Sequence, residues 1–171
     1  MVVRRKTASA VNVNRYWVKI MFRGVSNLNL DAKGRLAIPT RYREMLEQQC
    51  NGEMVITIDT DERCLLLYPR PDWELIEAKV GAMSSFDPMT RRVQRLLIGH
   101  ATDIELDGSG RLQLTPPLRA YAELDKRTVL LGQGKKLELW SEDRWVARRD
   151  SWLENQSGQE IPARCRDRHG G

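Results

Sequence analysis

The sequence predicts an α+β protein in which two tandem copies of one small unit build a pseudo-twofold β-barrel of interleaved hairpins, with short flanking helices. Segment 30–43 recurs at 106–119 without a gap, which indicates an internal repeat. Short segments with alternating apolar residues follow each copy and indicate strands, and helical patterns lie between them. Because one unit is too small to bury its own apolar face, we expect both units to share one core.

Each unit is predicted to begin with a strand, a tight turn and a second strand. The two strands are 27–30 and 35–38 in the first unit, and 103–106 and 111–114 in the second. In the second strand, Leu36 and Ile38 alternate with polar positions, which places their side chains on one face. A helix follows in each unit, with Thr40 as the predicted cap of the first. Thr115 is the predicted cap of the other helix, ahead of Pro116.

The rest of each unit is predicted to hold two more strands and a helix that carries a tryptophan. These segments are 54–58, 64–68 and the helix of Trp73 in the first unit, and 128–131, 136–140 and the helix of Trp145 in the second. Since the two tryptophans occupy matching positions in the repeat, we expect them to pack in a core or an interface. Stacking on single-stranded bases is the alternative.

A linker helix is predicted over 87–98, between the two units. Asp87 followed by Pro88 is typical of a helix cap and first turn, and Gly99 is expected to end the helix. One apolar stripe is expected to consist of Met89, Val93, Leu96 and Leu97. The other faces carry Arg91, Arg92 and Arg95, for which we favour a solvated face or pairs with a neighbouring subunit over contacts with phosphate.

The ends of the chain differ from the rest in composition. Residues 1–20 hold five basic and no acidic side chains, so the net charge of +5 resides in this leader and the remaining chain is balanced. We interpret 1–20 as a disordered extension or a start assigned too early, with a phosphate-binding arm as the alternative. The predicted organisation is a first repeat over 21–98 including the linker helix, a second repeat over 99–148, and a flexible tail over 149–171.

The sequence offers no recognisable catalytic or metal-binding set. His100 and His169 stand in no metal-ligand spacing, and the cysteines, Cys50, Cys64 and Cys165, form no Cys-x-x-Cys motif. Cys64 lies in an apolar strand pattern and is expected to be a buried, unreactive residue. No segment reaches the length of about 18 apolar residues that indicates a membrane span. We therefore expect no enzyme activity, no metal, no cofactor, no small-molecule substrate and no membrane partner.

The residues that carry chemistry lie in an Asp-x-x-Gly-Arg turn that occurs twice. They are Asp31, Gly34 and Arg35 in the first copy and Asp107, Gly110 and Arg111 in the second. The glycine supplies a positive φ, and the aspartate can accept backbone N–H groups within the turn. The aspartate can also bond the arginine four residues later and orient it toward a phosphate or a guanine edge. From the residues alone, a pair that only fastens the hairpin remains the alternative.

Several separated motifs, in the same order, resemble the MraZ family over residues 21 to 145. They are Met21-Phe22-Arg23-Gly24, the run from Leu30 to Arg43, Cys64 to Pro69, Arg91 to Arg95, and Asp107 to Arg111. The resemblance implies a swapped-hairpin fold of the AbrB-like superfamily. It also implies a cytoplasmic, nucleoid-associated repressor of the division and cell-wall gene cluster. Such a protein acts as a ring-shaped homo-oligomer on tandem repeats in double-stranded DNA.

The resemblance assigns the DNA-binding site to the two turns. The family motif Asp-x-x-x-Arg falls on Asp31 with Arg35 and on Asp107 with Arg111, together with Gly34 and Gly110. Lys33 is expected to contact phosphate, whereas Ser109 takes its place in the second copy. Arg41 and Arg43 follow the first turn, and DNA contact and a solvated face are equally open for them. An AbrB-like antitoxin, or another protein-interaction module, is the alternative function.

Overall fold

Eight strands and five α-helices make up the part of the chain that the computed structural model describes, residues 21–155. The strands are β1 (Phe22–Asn29), β2 (Arg35–Ala37), β3 (Glu53–Ile58), β4 (Leu65–Pro69), β5 (Thr102–Glu105), β6 (Arg111–Gln113), β7 (Arg127–Gly134) and β8 (Leu137–Ser141). The helices are α1 (Thr40–Cys50), α2 (Arg70–Gly81), α3 (Pro88–Val93), α4 (Pro116–Tyr121) and α5 (Glu142–Asn155). A π-helical turn, Gln94–Ile98, continues α3. The leader 1–20 and residues 156–171 of the predicted tail lie outside the described residues.

The strands of the two repeats exchange partners. Six of them form an antiparallel sheet in the order β1-β7-β8-β4-β3-β5, and β2 pairs with β6 in a separate two-stranded ribbon. The first strand of each repeat pairs with the third strand of the other, as β1 does with β7 and β5 with β3. Exchanging the two repeats leaves this strand order unchanged. The order of the strands therefore carries the pseudo-twofold symmetry that the sequence repeat predicts.

The six-stranded sheet separates two apolar clusters. Its inner face packs against α1, α4 and the apolar side of the β2–β6 ribbon, where Leu36 and Leu112 are fully buried. Its outer face packs against α2, α5 and the π-helical turn, with Trp73 and Trp140 as the largest buried residues. The α+β class is confirmed, whereas the closed swapped-hairpin barrel stays a prediction. Within the described residues, no helix combines the length and the apolar character needed to cross a membrane.

The linker helix begins as predicted and then departs from regular α-helix. The Asp87 side chain accepts hydrogen bonds from N and Oγ1 of Thr90, at 2.7 and 2.8 Å. Near the other end, Gly99 donates to the carbonyl oxygen of Gln94, a bond to the fifth residue back that defines a π turn. The prediction that Met89 lies on the buried stripe is wrong, because Met89 is 62% exposed. The wider π turn changes the angular position of Leu96 and Leu97 relative to Met89.

Two other predicted boundaries differ from the structure. Thr40 does not cap α1, because it is the first helical residue, the cap position belongs to Pro39, and no side-chain cap bond forms there. Thr115 does hold the cap position of α4, with Pro116 next to it, but its hydroxyl likewise makes no cap bond. The predicted flexible tail begins too early at residue 149, because α5 continues to Asn155. In this last part of the helix, the ring of Trp152 packs against that of Trp140.

Candidate functional site

The first Asp-x-x-Gly-Arg turn is held together by the carboxylate of Asp31. Its Oδ1 accepts the backbone N–H groups of Lys33 (2.9 Å) and Arg35 (2.8 Å), and its Oδ2 accepts Nε–H of Arg35 at 2.8 Å. The backbone closes the same turn, since Gly34 donates to the carbonyl oxygen of Asp31 at 3.0 Å. One carboxylate therefore fixes both the turn and the Nε end of the Arg35 guanidinium group.

The second turn repeats this arrangement. Oδ1 of Asp107 accepts the backbone N–H groups of Ser109 (2.8 Å) and Arg111 (3.0 Å), and Oδ2 accepts Nε–H of Arg111 at 3.1 Å. Within the described residues, the Nη atoms of Arg35 and Arg111 have no hydrogen-bond partner, and about a third of each side chain is exposed. Each arginine is thus oriented through Nε and presents its Nη donors to solvent.

The hydrogen bonds in the turns hold the pKa of both aspartates below the ordinary value of 3.8. For Asp31 and for Asp107, the largest cause is the backbone N–H group of the arginine four residues later, which donates a hydrogen bond to the charged carboxylate. Attraction to the guanidinium group acts in the same direction, while partial desolvation opposes it. Both carboxylates are consequently charged at neutral pH, as a bond to a cationic arginine requires.

The β2–β6 ribbon places the two arginines on one surface. Arg35 pairs with Gln113, and Arg111 pairs with Ala37, so the four side chains share the outer face of the ribbon while Leu36 and Leu112 face the core. Diagonal neighbours of this kind lie about 7–8 Å apart between Cα atoms. The strand exchange therefore brings together two arginines that are far apart in the sequence.

Each turn is also fastened to the other repeat. Leu114 donates to the carbonyl oxygen of Gly34 at 2.8 Å, and Ile38 donates to that of Gly110 at 3.0 Å. In addition, Nε2 of Gln113 donates to the carbonyl oxygen of Lys33 at 2.7 Å. The two turns are accordingly one rigid unit with the ribbon rather than two independent loops.

A second pair of arginines covers the glycines of these turns. Arg43 lies over Gly110, and its Nη2 donates to Oγ1 of Thr40 at 2.8 Å. Arg119 lies over Gly34 in the same way, and the buried Nε atoms of both arginines have no hydrogen-bond partner in the described part of the chain. Arg119 is absent from the predicted site residues. Its alignment with Arg43 in the repeat is the signal that could have identified it.

The remaining predicted site residues divide between the ribbon and other surfaces. Lys33 is exposed at the tip of the first turn. Arg41 does not reach either turn, because its Nη2 donates to Oγ of Ser26 at 3.0 Å and its guanidinium group lies over the Tyr42 ring and beside Gly24. Arg41 thus fastens α1 to β1.

The arginines of the linker helix also lie away from the ribbon. Arg91, Arg92 and Arg95 are exposed on a segment that packs on the outer face of the sheet. The ribbon packs against the inner face of the same sheet, on the opposite side. A surface that contacts the two turns therefore does not include the arginines of the linker helix.

Cys64 and the tryptophans of the repeat lie where the sequence predicts. Cys64 is fully buried, and burial strongly raises the pKa of its thiol, which makes it a poor nucleophile. Trp73 packs against Tyr68, and Trp145 packs against Trp140. Among residues 21–155, no group of three or more histidine, cysteine, aspartate or glutamate side chains is arranged to hold a metal ion.

Comparison with known proteins assigns the chain to a family. The family model described as "MraZ protein, putative antitoxin-like" matches twice, over residues 21–96 and 97–167. The chain belongs to the MraZ family. Proteins named transcriptional regulator MraZ are similar to it. One from Thioalkalivibrio sulfidiphilus is 57% identical over 84% of this chain and 95% of its own length. Another, from Coxiella burnetii, is 51% identical over 85% of this chain and 97% of its own length.

We expect Gly110→Ala to destabilise the protein by about 1–3 kcal/mol, the usual range for a non-glycine residue held in a strained backbone conformation. The φ of Gly110 is +72°, and an added Cβ would overlap Cδ of Arg43. Urea unfolding measures the change. Gly108→Ala in the same turn is the control, because an added Cβ there meets no atom of the described residues within 4 Å. Equal destabilisation by both substitutions would contradict the assigned geometry.

The depressed pKa of Asp31 and Asp107 predicts a contribution to stability that disappears in acid. Because the unfolded state takes up these protons first, the contribution is complete above the ordinary pKa and is lost as pH falls through the lower folded-state pKa. We expect the melting temperature of the wild type to fall more steeply below about pH 5 than that of the Asp31→Asn, Asp107→Asn variant. Asp125→Asn, at an exposed aspartate outside both turns, should leave the wild-type profile unchanged.

Proposed function

We propose that this protein is a DNA-binding transcriptional regulator that reads double-stranded DNA with the β2–β6 ribbon. The observation that carries the proposal is the pair Arg35 and Arg111, held through Nε on one face of the ribbon, with Nη atoms that have no partner among residues 21–155. Two-stranded ribbons fit the major groove, and an oriented guanidinium group can bond guanine O6 and N7 together. The printed names of the relatives, transcriptional regulator MraZ, support the same function.

The other residues of the site have supporting roles in this proposal. Asp31 and Asp107 orient the arginines, and Gly34 and Gly110 permit the turns. Arg43 packs against Gly110 and so supports the second turn. Lys33 contacts a phosphate beside the first turn, whereas Ser109 makes the second turn less basic. Arg41, which is fastened to β1, is not a contact in this proposal.

Self-assembly belongs to the same proposal. Outside residues 1–20, basic and acidic side chains are equal in number, so one protomer offers no general attraction for a polyanion. A ring that presents the ribbon several times converts weak contacts into avidity, and tandem sites in the promoter match such a ring. The proposed role is a cytoplasmic, nucleoid-associated repressor of the division and cell-wall gene cluster, including its own gene.

The strand exchange supports a swapped-hairpin barrel of the AbrB-like class. The β1–β7 and β5–β3 pairs join each repeat to the other, and the ribbon lies across the inner face of the sheet. The function is binding rather than catalysis, in agreement with the printed names of the relatives. The alternative of an antitoxin with a toxin-binding tail depends on residues 156–171, which lie outside the described part of the chain.

A gel shift with DNA from upstream of the protein's own gene tests the reading site. We expect Arg35→Ala with Arg111→Ala to weaken specific binding at least tenfold, since one bidentate contact with guanine contributes about 1–3 kcal/mol. Lysine at both positions should restore nonspecific binding more than specific binding, because lysine cannot form the paired bonds.

Arg127→Ala is the matched control, because Arg127 is exposed, lies outside the turns and pairs with Glu142. It should leave promoter affinity unchanged. Undiminished specific binding by the double alanine variant, with its melting temperature retained, would remove the two turns as the reading site.

A further inference from the structure

The outer face of the sheet is covered unequally in the two repeats. In the first repeat, the π-helical turn lies across β3, and Oγ1 of Thr57 donates to the carbonyl oxygen of Leu97 at 2.6 Å. Thr57 is consequently fully buried. The corresponding residue of β7 is Leu131, and no described segment covers it in the same way, so it remains partly exposed. Among the described residues, the region that the linker covers on one repeat is left uncovered on the other.

This uncovered region is a groove of about 310 Å³ between β7, β8 and α5, which we call the tryptophan groove. Leu131, Trp145 and Trp152 form its apolar part. Acidic side chains border it: Asp59, Asp61, Glu62 and Glu138. Two of these are neutralised locally, since Glu62 pairs with Arg148 and Glu138 pairs with Lys136. The carboxylates of Asp59 and Asp61 form no ion pair among the described residues, so the groove retains negative charge.

The exposed side of the linker has the complementary chemistry. Phe86 is 94% exposed, and Met83 and Met89 beside it are at least half exposed. Arg91, Arg92 and Arg95 follow on the exposed face, and none of them makes a hydrogen bond or an ion pair with the described residues. We call this set of six residues the linker surface. Apolar and cationic groups occur together on it, as apolar and anionic groups do in the groove.

We propose that the linker surface of one protomer docks into the tryptophan groove of the next. This inference rests on the proposed self-assembly and names the two surfaces that would produce it. Aromatic residues and arginines are the residue types that contribute most to protein interfaces. Phe86 and Met89 would lie against Trp145 and Trp152, and the linker arginines would face Asp59 and Asp61.

A second copy is the occupant that the arrangement favours. The linker of the same chain is held over β3 by the bond from Thr57, two strands away from the apolar part of the groove over β7 and β8, so the groove is left to the linker of a second copy. The contact is heterologous, because different surfaces meet, and repetition of such a contact closes into a ring when the rotation allows it. Both surfaces lie on the side of the sheet opposite the β2–β6 ribbon, which leaves the ribbon exposed in the assembly.

Two variants of the full chain separate the surfaces. The linker variant carries Phe86→Asp with Arg92→Glu, and the groove variant carries Asp61→Arg with Trp152→Glu. Light scattering after size-exclusion chromatography, at equal protomer concentration and without DNA, gives their masses. We expect an oligomer for the wild type and a monomer for each variant. Asp61→Arg alone preserves the aromatic packing and should already reduce the mass. Lys126→Glu, at an exposed lysine outside both surfaces, is the control and should remain oligomeric.

Mixing the two variants is the decisive step. The linker variant retains an intact groove, and the groove variant retains an intact linker surface, so an equimolar mixture can form one junction and no more. We expect a species of twice the protomer mass that contains both variants. A mixture that stays monomeric would overturn the pairing of these two surfaces.

Other outcomes are equally informative. If the wild type is oligomeric and both variants keep its mass, the assembly uses other surfaces and the inference is overturned, while the proposed function stands. If the wild type itself is monomeric, the proposed self-assembly fails as well. If the linker variant keeps the oligomer but weakens promoter binding, the linker arginines contact DNA and the inference is overturned.

Discussion

The bond between an aspartate carboxylate and the arginine four residues later is the interaction on which the site depends. One oxygen of Asp31 accepts two backbone N–H groups and the other accepts Nε of Arg35, so the turn and the side chain are fixed together. An exposed ion pair of this kind adds little to global stability. Its value is orientation, because an arginine that is already held loses less conformational freedom when it binds.

The exchange of strands between repeats brings the two Asp-x-x-Gly-Arg turns together on one surface. Neither repeat has a complete sheet by itself, since β1 needs β7 and β5 needs β3. The same exchange pairs β2 with β6 and brings Arg35 and Arg111 onto one face. Arg43 and Arg119 then close each turn from the opposite repeat. The site therefore forms only when both repeats fold together, and a destabilising substitution in either repeat affects both turns.

Features with local causes were predictable from the sequence, and features that depend on distant partners were not. The Asp-x-x-Gly-Arg geometry and the Asp87 cap follow from hydrogen bonds within a few residues, and both are present. Periodicity did not predict the exposure of Met89, because the helix changes to a π turn after it. The role of Arg41 depends on β1, a neighbour that the local pattern does not reveal. The repeat could have identified Arg119, since its partner Arg43 was already a candidate.

A double-mutant cycle on promoter affinity tests most directly whether the carboxylate acts through its arginine. Fluorescence anisotropy would compare the wild type with Asp31→Asn, Arg35→Ala and the combination. Asparagine can still accept the backbone bonds of the turn but loses the charge that holds the guanidinium group. We expect Asp31→Asn to weaken binding in the wild type and to add nothing when Arg35 is already alanine, a coupling of about 1 kcal/mol or more. Equal losses in both backgrounds would contradict it.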